Sequence, residues 1–289
     1  MSSGIFPIAL CLLSAITVAA VNLFVKRGGD VLSTRMIVSI AMMLSVVPLV
    51  PFVPLPTPTI CGALAISVVV HWFYQFAMIR ALHRGDLSLV FPVMRGLAPL
   101  LTAITATIAL GETPGLWGWV GLLIATAALI VFATPEERGE KHPPIKQAAL
   151  FWAMVTALGI AFYSVADANG SRLSANTSTV LTFVVWLFML DWIGITVAVV
   201  WARRGQIWRD VAPQIKDGMI GGFLGTISYG AALWAFTLTD AANVTAIRET
   251  SVVFGAIFGA VFLKEAFGTR RIAAASCLAF GLMLLEFAP

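Results

Sequence analysis

Apolar residues fall along this chain in long blocks, each broken by a short polar or glycine- and proline-rich stretch. A membrane helix needs about 20 mostly apolar residues, because each residue rises about 1.5 Å and the hydrocarbon core is about 30 Å thick. Ten blocks meet that requirement: 5–25, 31–50, 60–82, 87–110, 116–133, 148–168, 177–201, 218–238, 241–263 and 269–287. The breaks are marked by Lys26-Arg27-Gly28-Gly29-Asp30, by prolines between 51 and 58, by Gly111-Glu112-Thr113-Pro114 and by Asn169-Gly170-Ser171. Only 135–147, charged and with adjacent prolines, reads as a linker, and it lies near the middle of the chain. The pattern predicts an all-α integral membrane protein of ten transmembrane helices.

Composition agrees. Of 289 residues, 60% are hydrophobic and 11% charged, where a soluble domain carries about a quarter charged. So much apolar surface does not fit inside a soluble core of this size. Disorder is excluded on the same ground, and three cysteines (Cys11, Cys61 and Cys277) in apolar runs do not make a disulfide scaffold.

Charge then orients the helices. The odd-numbered loops and their helix ends hold Lys26, Arg27, Arg35, Arg80, Arg84, Arg138, Lys141, Lys146, Arg203, Arg204, Arg209, Lys216, Lys264, Arg270 and Arg271. The even loops hold Arg172 alone, while Arg95 and Arg248 lie within spans. The positive-inside rule puts the odd loops in the cytoplasm and both termini outside. The net charge of +4 therefore reflects membrane topology rather than a nucleic-acid surface. The first span has its basic residues after it, the reverse of a secretory signal, and is expected to persist.

The halves also correspond. Tyr74 matches Tyr229, Arg95 matches Arg248, and Leu110-Gly111-Glu112 matches Leu263-Lys264-Glu265, once a two-residue deletion is allowed. Residues 1–134 form one five-span unit, 135–147 a cytoplasmic linker and 148–289 a second unit. Five is odd, so the second copy enters the membrane from the opposite side. Inverted repeats give one chain two nearly equivalent conformations, each open to one side.

Pro99-Leu100-Leu101-Thr102-Ala103, Leu110-Gly111-Glu112 and Trp119-x-Gly121-Leu122-Leu123 resemble the repeat unit of the drug/metabolite transporter superfamily, EamA type. The second copy, Ser251-Val252-Val253-Phe254-Gly255 with Leu263-Lys264-Glu265, then Ile272 and Gly281, is a weaker match that lacks the proline. Within the superfamily the whole chain looks most like the YddG-like aromatic amino-acid exporters of bacterial inner membranes. The resemblance implies a ten-helix basket that exports amino acids or related amphiphilic metabolites. It also implies a cavity lined by the third, fourth, eighth and ninth helices, with the fifth and tenth outside.

Polar groups within spans are expensive and need a partner or a function. On the third span His71, Tyr74, Gln75 and Met78 share one helical face, and Thr226, Tyr229, Gly230 and Leu233 form the matching face of the eighth. Such a stripe can bind the polar and aromatic parts of a solute, or bond neighbouring helices. Its recurrence favours the cavity. Arg95 and Arg248 suit either a substrate carboxylate or a structural anchor. Trp72, Trp186, Trp234 and Tyr163 lie deep enough to stack on substrate or simply to pack, whereas Trp117, Trp119, Trp201 and Trp208 read as interfacial belt. Gly218, Gly221, Gly222, Gly225, Gly255 and Gly259 are expected at close helix contacts.

Glu249 and Asp191 are the candidates for ion coupling, which the sequence leaves open. The substrate-binding set is therefore His71, Tyr74, Gln75, Met78, Arg95, Tyr163, Trp186, Tyr229, Trp234, Arg248 and Glu249. No catalytic motif, metal cluster or cofactor loop is present in the sequence. A carrier for small metabolites, functional as a monomer in the bilayer, is expected over an enzyme or a channel. Its alternative is a multidrug, cation or lipid-like exporter of the same fold.

Overall fold

The computed structural model describes residues 5–82, 84, 87–133, 147–203, 207–263 and 269–287. Its described α-helices are α1 (Ile5–Arg27), α2 (Val31–Val46), α3 (Pro58–Leu82), α4 (Leu87–Gly96), α5 (Ala98–Leu110), α6 (Leu116–Ala133) and α7 (Gln147–Thr177). Then follow α8 (Val180–Arg203), α9 (Ile207–Val211), α10 (Ile215–Ala235), α11 (Ala241–Arg248), α12 (Ser251–Leu263) and α13 (Thr269–Phe287). Among the described residues, six helical stretches are long and apolar enough to cross a membrane. These are Ile5–Val25, Val31–Phe52, Pro58–Ala81, Val93–Leu110, Gln147–Thr177 and Val180–Arg203. Leu116–Phe132 and Ile272–Glu286 are shorter apolar helices. The outer surface exposes Ile108, Phe223 and Val261, each more than 60% accessible. Large apolar side chains pointing outward around a helical bundle are what a hydrocarbon solvent requires.

Two expected spans are each divided into two helices. α4 ends at Gly96 and α5 begins at Ala98, with Pro99 in its first turn. Pro99 has no N–H to give the Arg95 carbonyl, so the ladder is interrupted there. The ninth span breaks between α11 and α12, where no proline lies. There the Thr250 hydroxyl takes the Ile247 carbonyl at 2.7 Å and competes with the backbone for it. Each break falls just beyond an intramembrane arginine.

One expected break is absent. Asn169-Gly170-Ser171 reads as a turn in the sequence, yet α7 continues through it to Thr177 and is 31 residues long. Gly170 is needed for packing: a Cβ there would sit 2.2 Å from the Phe183 ring. The linker 135–147 lies outside the described residues except Gln147, which begins α7. Glu265 and Lys264 also lie outside them.

Packing pairs α3 with α7, α1 with α10, and α6 with α13. α10 lies tightly on α2, because Gly218 faces Ile37, Gly221 faces Val38, Gly222 faces Ala41 and Gly225 faces Met42. Gly121 and Gly281 meet between α6 and α13. The expectation for Gly255 is not met: open space lies where its Cβ would point.

The two ends of the bundle differ. At the end bearing the basic loops, Asp30 caps α2 through Leu32 N–H (3.2 Å) and accepts from Arg203 Nη2 of α8 at 2.6 Å. At the other end a large apolar cluster, including Ile60, Leu64, Phe183, Leu187, Leu233 and Phe236, fills the interior. A polar clasp lies there too. Gly111, at φ +72°, ends α5 in the left-handed region that glycine favours, and brings Glu112 across to α11. Glu112 pairs with Arg172 of α7, and its Oε2 accepts the Ala241 N–H at 2.7 Å. Arg172 also donates to the Phe236 carbonyl at 2.7 Å and the Thr239 carbonyl at 3.0 Å. Burial, and next the Glu112 charge, raise the adjacent Asp240 carboxyl above its ordinary value.

Candidate substrate cavity

Between α1, α2, α3, α8 and α10 lies a cavity of about 190 Å³. Its lining runs from His71, Tyr163 and Tyr229 near mid-bundle to Val25 and Arg35 beside the α1–α2 turn. It therefore extends toward the basic end and is floored at its other end by the apolar plug, whose Leu187 and Phe188 line it. Among the described residues, α6 and α13 contribute no lining residue, whereas α1, α2, α7 and α8 contribute alongside the third, fourth, eighth and ninth spans. The lining is wider than the resemblance implied.

The expected stripe on α3 faces this space: His71, Tyr74, Gln75 and Met78 all line it. Tyr74 donates to the Met78 sulfur at 3.5 Å, and Met78 is itself buried. Tyr163, from α7, lies flat on the His71 ring with centroids 4.5 Å apart, and Tyr74 meets Tyr163 edge-on at 5.1 Å. Tyr229 approaches His71 edge-on from α10 at 5.8 Å. Together they make an aromatic wall with three hydroxyls.

His71 joins two carboxylates. Its Nε2 is 3.0 Å from Asp167 Oδ2, and its Nδ1 is 3.8 Å from Asp191 Oδ1. Asp167 is fully buried and accepts from Ser67 Oγ at 2.6 Å and from the Tyr229 hydroxyl. Asp191 lines the cavity and takes only long contacts, both 3.3 Å, from Gln75 Nε2. The Trp72 indole fits against Gly194 and donates to the Asp191 backbone carbonyl at 3.3 Å.

The arginines take different partners. Arg95 Nη1 bonds Glu249 Oε1 at 2.9 Å, joining the two broken spans at their breaks, and Glu249 is almost wholly buried. Arg248 lines the cavity, donates from Nε to Ser14 Oγ at 2.9 Å, and lies 5.2 Å from the Tyr229 ring centroid. Ser14 meets Ser228 across α1 and α10 at 3.3 Å. Among the described residues Arg248 belongs to no ion pair, so its guanidinium is available to an anionic group in the cavity.

Three expected residues do not line the cavity: Glu249 is buried against Arg95, and the indoles of Trp186 and Trp234 stand elsewhere. Trp186 packs beside the apolar plug and donates to the Pro54 carbonyl at 3.4 Å. Trp234 is half exposed and meets Phe6 edge-on at 5.8 Å. Depth in the sequence did not reveal which side of the helix each indole occupies. Conversely, Asp167, Ser67, Ser14 and Ser228 were not singled out from the sequence. Asp167 stood at the edge of an assumed 21-residue span, although Tyr163, Asp167 and Ser171 keep four-residue spacing on one face.

Helices that turn apolar faces outward and enclose a polar, aromatic cavity form a multi-pass membrane protein. The EamA-like transporter family matches residues 5–134 and again 147–287, and the chain belongs to that family. It is similar to an uncharacterized transporter of Archaeoglobus fulgidus, 22% identical over 228 residues that cover 78% of this chain and 76% of the relative. A protein of known crystal structure shares the fold at a TM-score of 0.72 and 16% identity, over 96% of this chain and 95% of its own.

Proposed function

We propose that the chain moves amino acids, aromatic and other neutral ones, or related small amphiphilic metabolites, by alternating access. The observation that carries this reading is the cavity's lining: an available guanidinium at Arg248, a carboxylate at Asp191 and aromatic rings at Tyr74, Tyr163 and Tyr229. A solute with a carboxylate, an ammonium group and an apolar side chain matches all three.

Two five-helix units of inverted topology, residues 1–134 and 148–289, supply the motion. Support comes from the paired family matches, from a helix broken just past an arginine in each half, and from the exchange of α3–α7 against α10–α1 packing. In a bacterial cytoplasmic membrane the basic end faces the cytoplasm by the positive-inside rule, and both termini face the periplasm. The cavity then opens inward, with the plug and the Glu112–Arg172 clasp outward. Loading from inside and release outside is export, and a monomer suffices for it.

The test is a solute panel in liposomes containing the purified protein. Labelled phenylalanine, threonine or methionine should exchange against the same solute inside, with saturation. Replacing His71, Tyr74 or Tyr229 with Ala should slow exchange without loss of folded protein. Exchange of none of these, with transport of an organic monocation instead, would favour a cation exporter of the same fold.

A further inference from the structure

Within the cavity, His71 is the one imidazole set between two carboxylates from two other helices, Asp167 on α7 and Asp191 on α8. Tyr229 donates to Asp167, so His71 Nε2, 3.0 Å from the same oxygen, satisfies that contact by donating its own hydrogen. That choice leaves Nδ1 bare in the neutral ring, facing Asp191 3.8 Å away. A second proton has one place to go: Nδ1, between the ring and Asp191.

Charge balance gives that position a purpose. The groups facing His71 are Tyr163 and Asp167 from α7, Asp191 from α8, Tyr229 from α10 and Arg248 from α11, with Tyr74 one turn along α3. Arg95 and Glu249 neutralise each other nearby. Arg248 lies against the Tyr229 ring and bonds Ser14, and belongs to no ion pair with Asp167 or Asp191 among the described residues. Two carboxylates removed from bulk water are costly to keep ionised unless a positive charge stands between them. A proton on His71 Nδ1 provides that charge. So does a substrate ammonium group placed at Asp191, the more exposed of the two acids at 22% against 0%.

We propose that Asp167, His71 and Asp191 form a proton-binding relay whose single shared proton exchanges for the ammonium group of the transported solute, making the carrier a proton antiporter. The proton leaves Nδ1 through the Asp191 carboxylate to cavity water as the ammonium arrives; no covalent bond to carbon changes. Asp167 holds the ring in place through Nε2, and Ser67 fixes Asp167 from behind at 2.6 Å. The transport arm of the test rests on the carrier reading above; the titration arm does not.

Liposomes with the membrane potential clamped at zero and a one-unit pH step should accumulate labelled phenylalanine on the acidic side. One proton exchanged for one neutral solute gives about tenfold accumulation per pH unit. Asp167→Asn and His71→Gln should bring that ratio toward one, whatever exchange rate each retains. Wild-type protein that exchanges phenylalanine at equal pH yet never accumulates it under the gradient would overturn the proposal and leave the carrier reading standing. Independently of any solute, protein labelled with ¹³C-histidine should be titrated by NMR from about pH 5 to 9. The resonance lost in His71→Gln should titrate, and Asp191→Asn should move its midpoint down, since removing an adjacent anion disfavours imidazolium. A His71 ring that stays in one charge state, or a midpoint indifferent to Asp191→Asn, would overturn the relay even if none of the solutes moves.

Discussion

Arg95 and Glu249 are the buried pair that joins the two halves at their helix breaks. Removing one member of such a pair strands the other in a low-dielectric interior, at a cost of about 3–5 kcal/mol. Arg95→Leu should therefore lower the unfolding temperature of the purified protein markedly, whereas Arg95→Leu with Glu249→Leu should recover most of the loss. Equal destabilisation in the single and double variants would show that the ion pair is not what the arginine contributes. At this scale the sequence was informative wherever a residue was costly in lipid by any placement. Arg95, Arg248, Tyr74 and Tyr229 stood out because each lies far inside an apolar block and has a partner in the other half. Asp167 did not, since it fell where a 20-residue span was expected to end. Its burial depends on α7 continuing past Gly170, which depends in turn on Phe183, contributed by a different helix.

Helix contacts were legible when glycine spacing alone determined them, as on α10. A Cβ at Gly222 would lie 2.2 Å from that of Ala41, while Gly230 has nothing within 4 Å. Gly222→Ala should destabilise the fold by about 1–3 kcal/mol through overpacking, and Gly230→Ala should be tolerated, both read by thermal unfolding. Identical behaviour of the two would refute close α2–α10 packing. The α4–α5 break was foreshadowed by Pro99; the α11–α12 break was not, because a threonine hydroxyl taking a backbone carbonyl leaves no distinct signature in sequence. The α11 start also carries a pH dependence. Asp240 is an acid raised by burial and then by Glu112. A raised acid costs stability while ionised, and the cost fades as pH falls through its raised value. Asp240→Asn keeps a good capping residue and should raise the unfolding temperature by about 1–2 °C at neutral pH, with the advantage shrinking as pH is lowered. A pH-independent difference would assign the effect to something other than ionisation.

Over the whole molecule, the clasp lies at one end and the cavity reaches toward the other. Glu112 ties α5 to α7 and to the first turn of α11, so it spans both halves at the sealed end. Glu112→Gln should weaken that tie and increase labelling of a cysteine introduced at Val244 by a membrane-impermeant thiol reagent applied from the sealed side. Unchanged labelling would place closure in the apolar plug alone. The broad architecture, helical and membrane-embedded, followed from block length and charge placement. Which end is shut did not, because it arises from contacts between residues such as Glu112, Arg172 and Phe236 that are remote in the chain.

The length of α7 makes the surrounding lipid a participant. Thirty-one helical residues measure about 46 Å, against about 30 Å of hydrocarbon in an average bilayer. Such a helix must tilt or project, and the tilt it adopts follows the thickness of the membrane. α7 carries Tyr163 and Asp167 at the cavity and Arg172 at the clasp, on one rigid rod. Lipids with longer acyl chains would draw the rod upright and shorter ones would lay it over, moving cavity and clasp together. Turnover in liposomes of graded chain length should then pass through an optimum, with acyl-chain length acting as a mechanical regulator of the carrier.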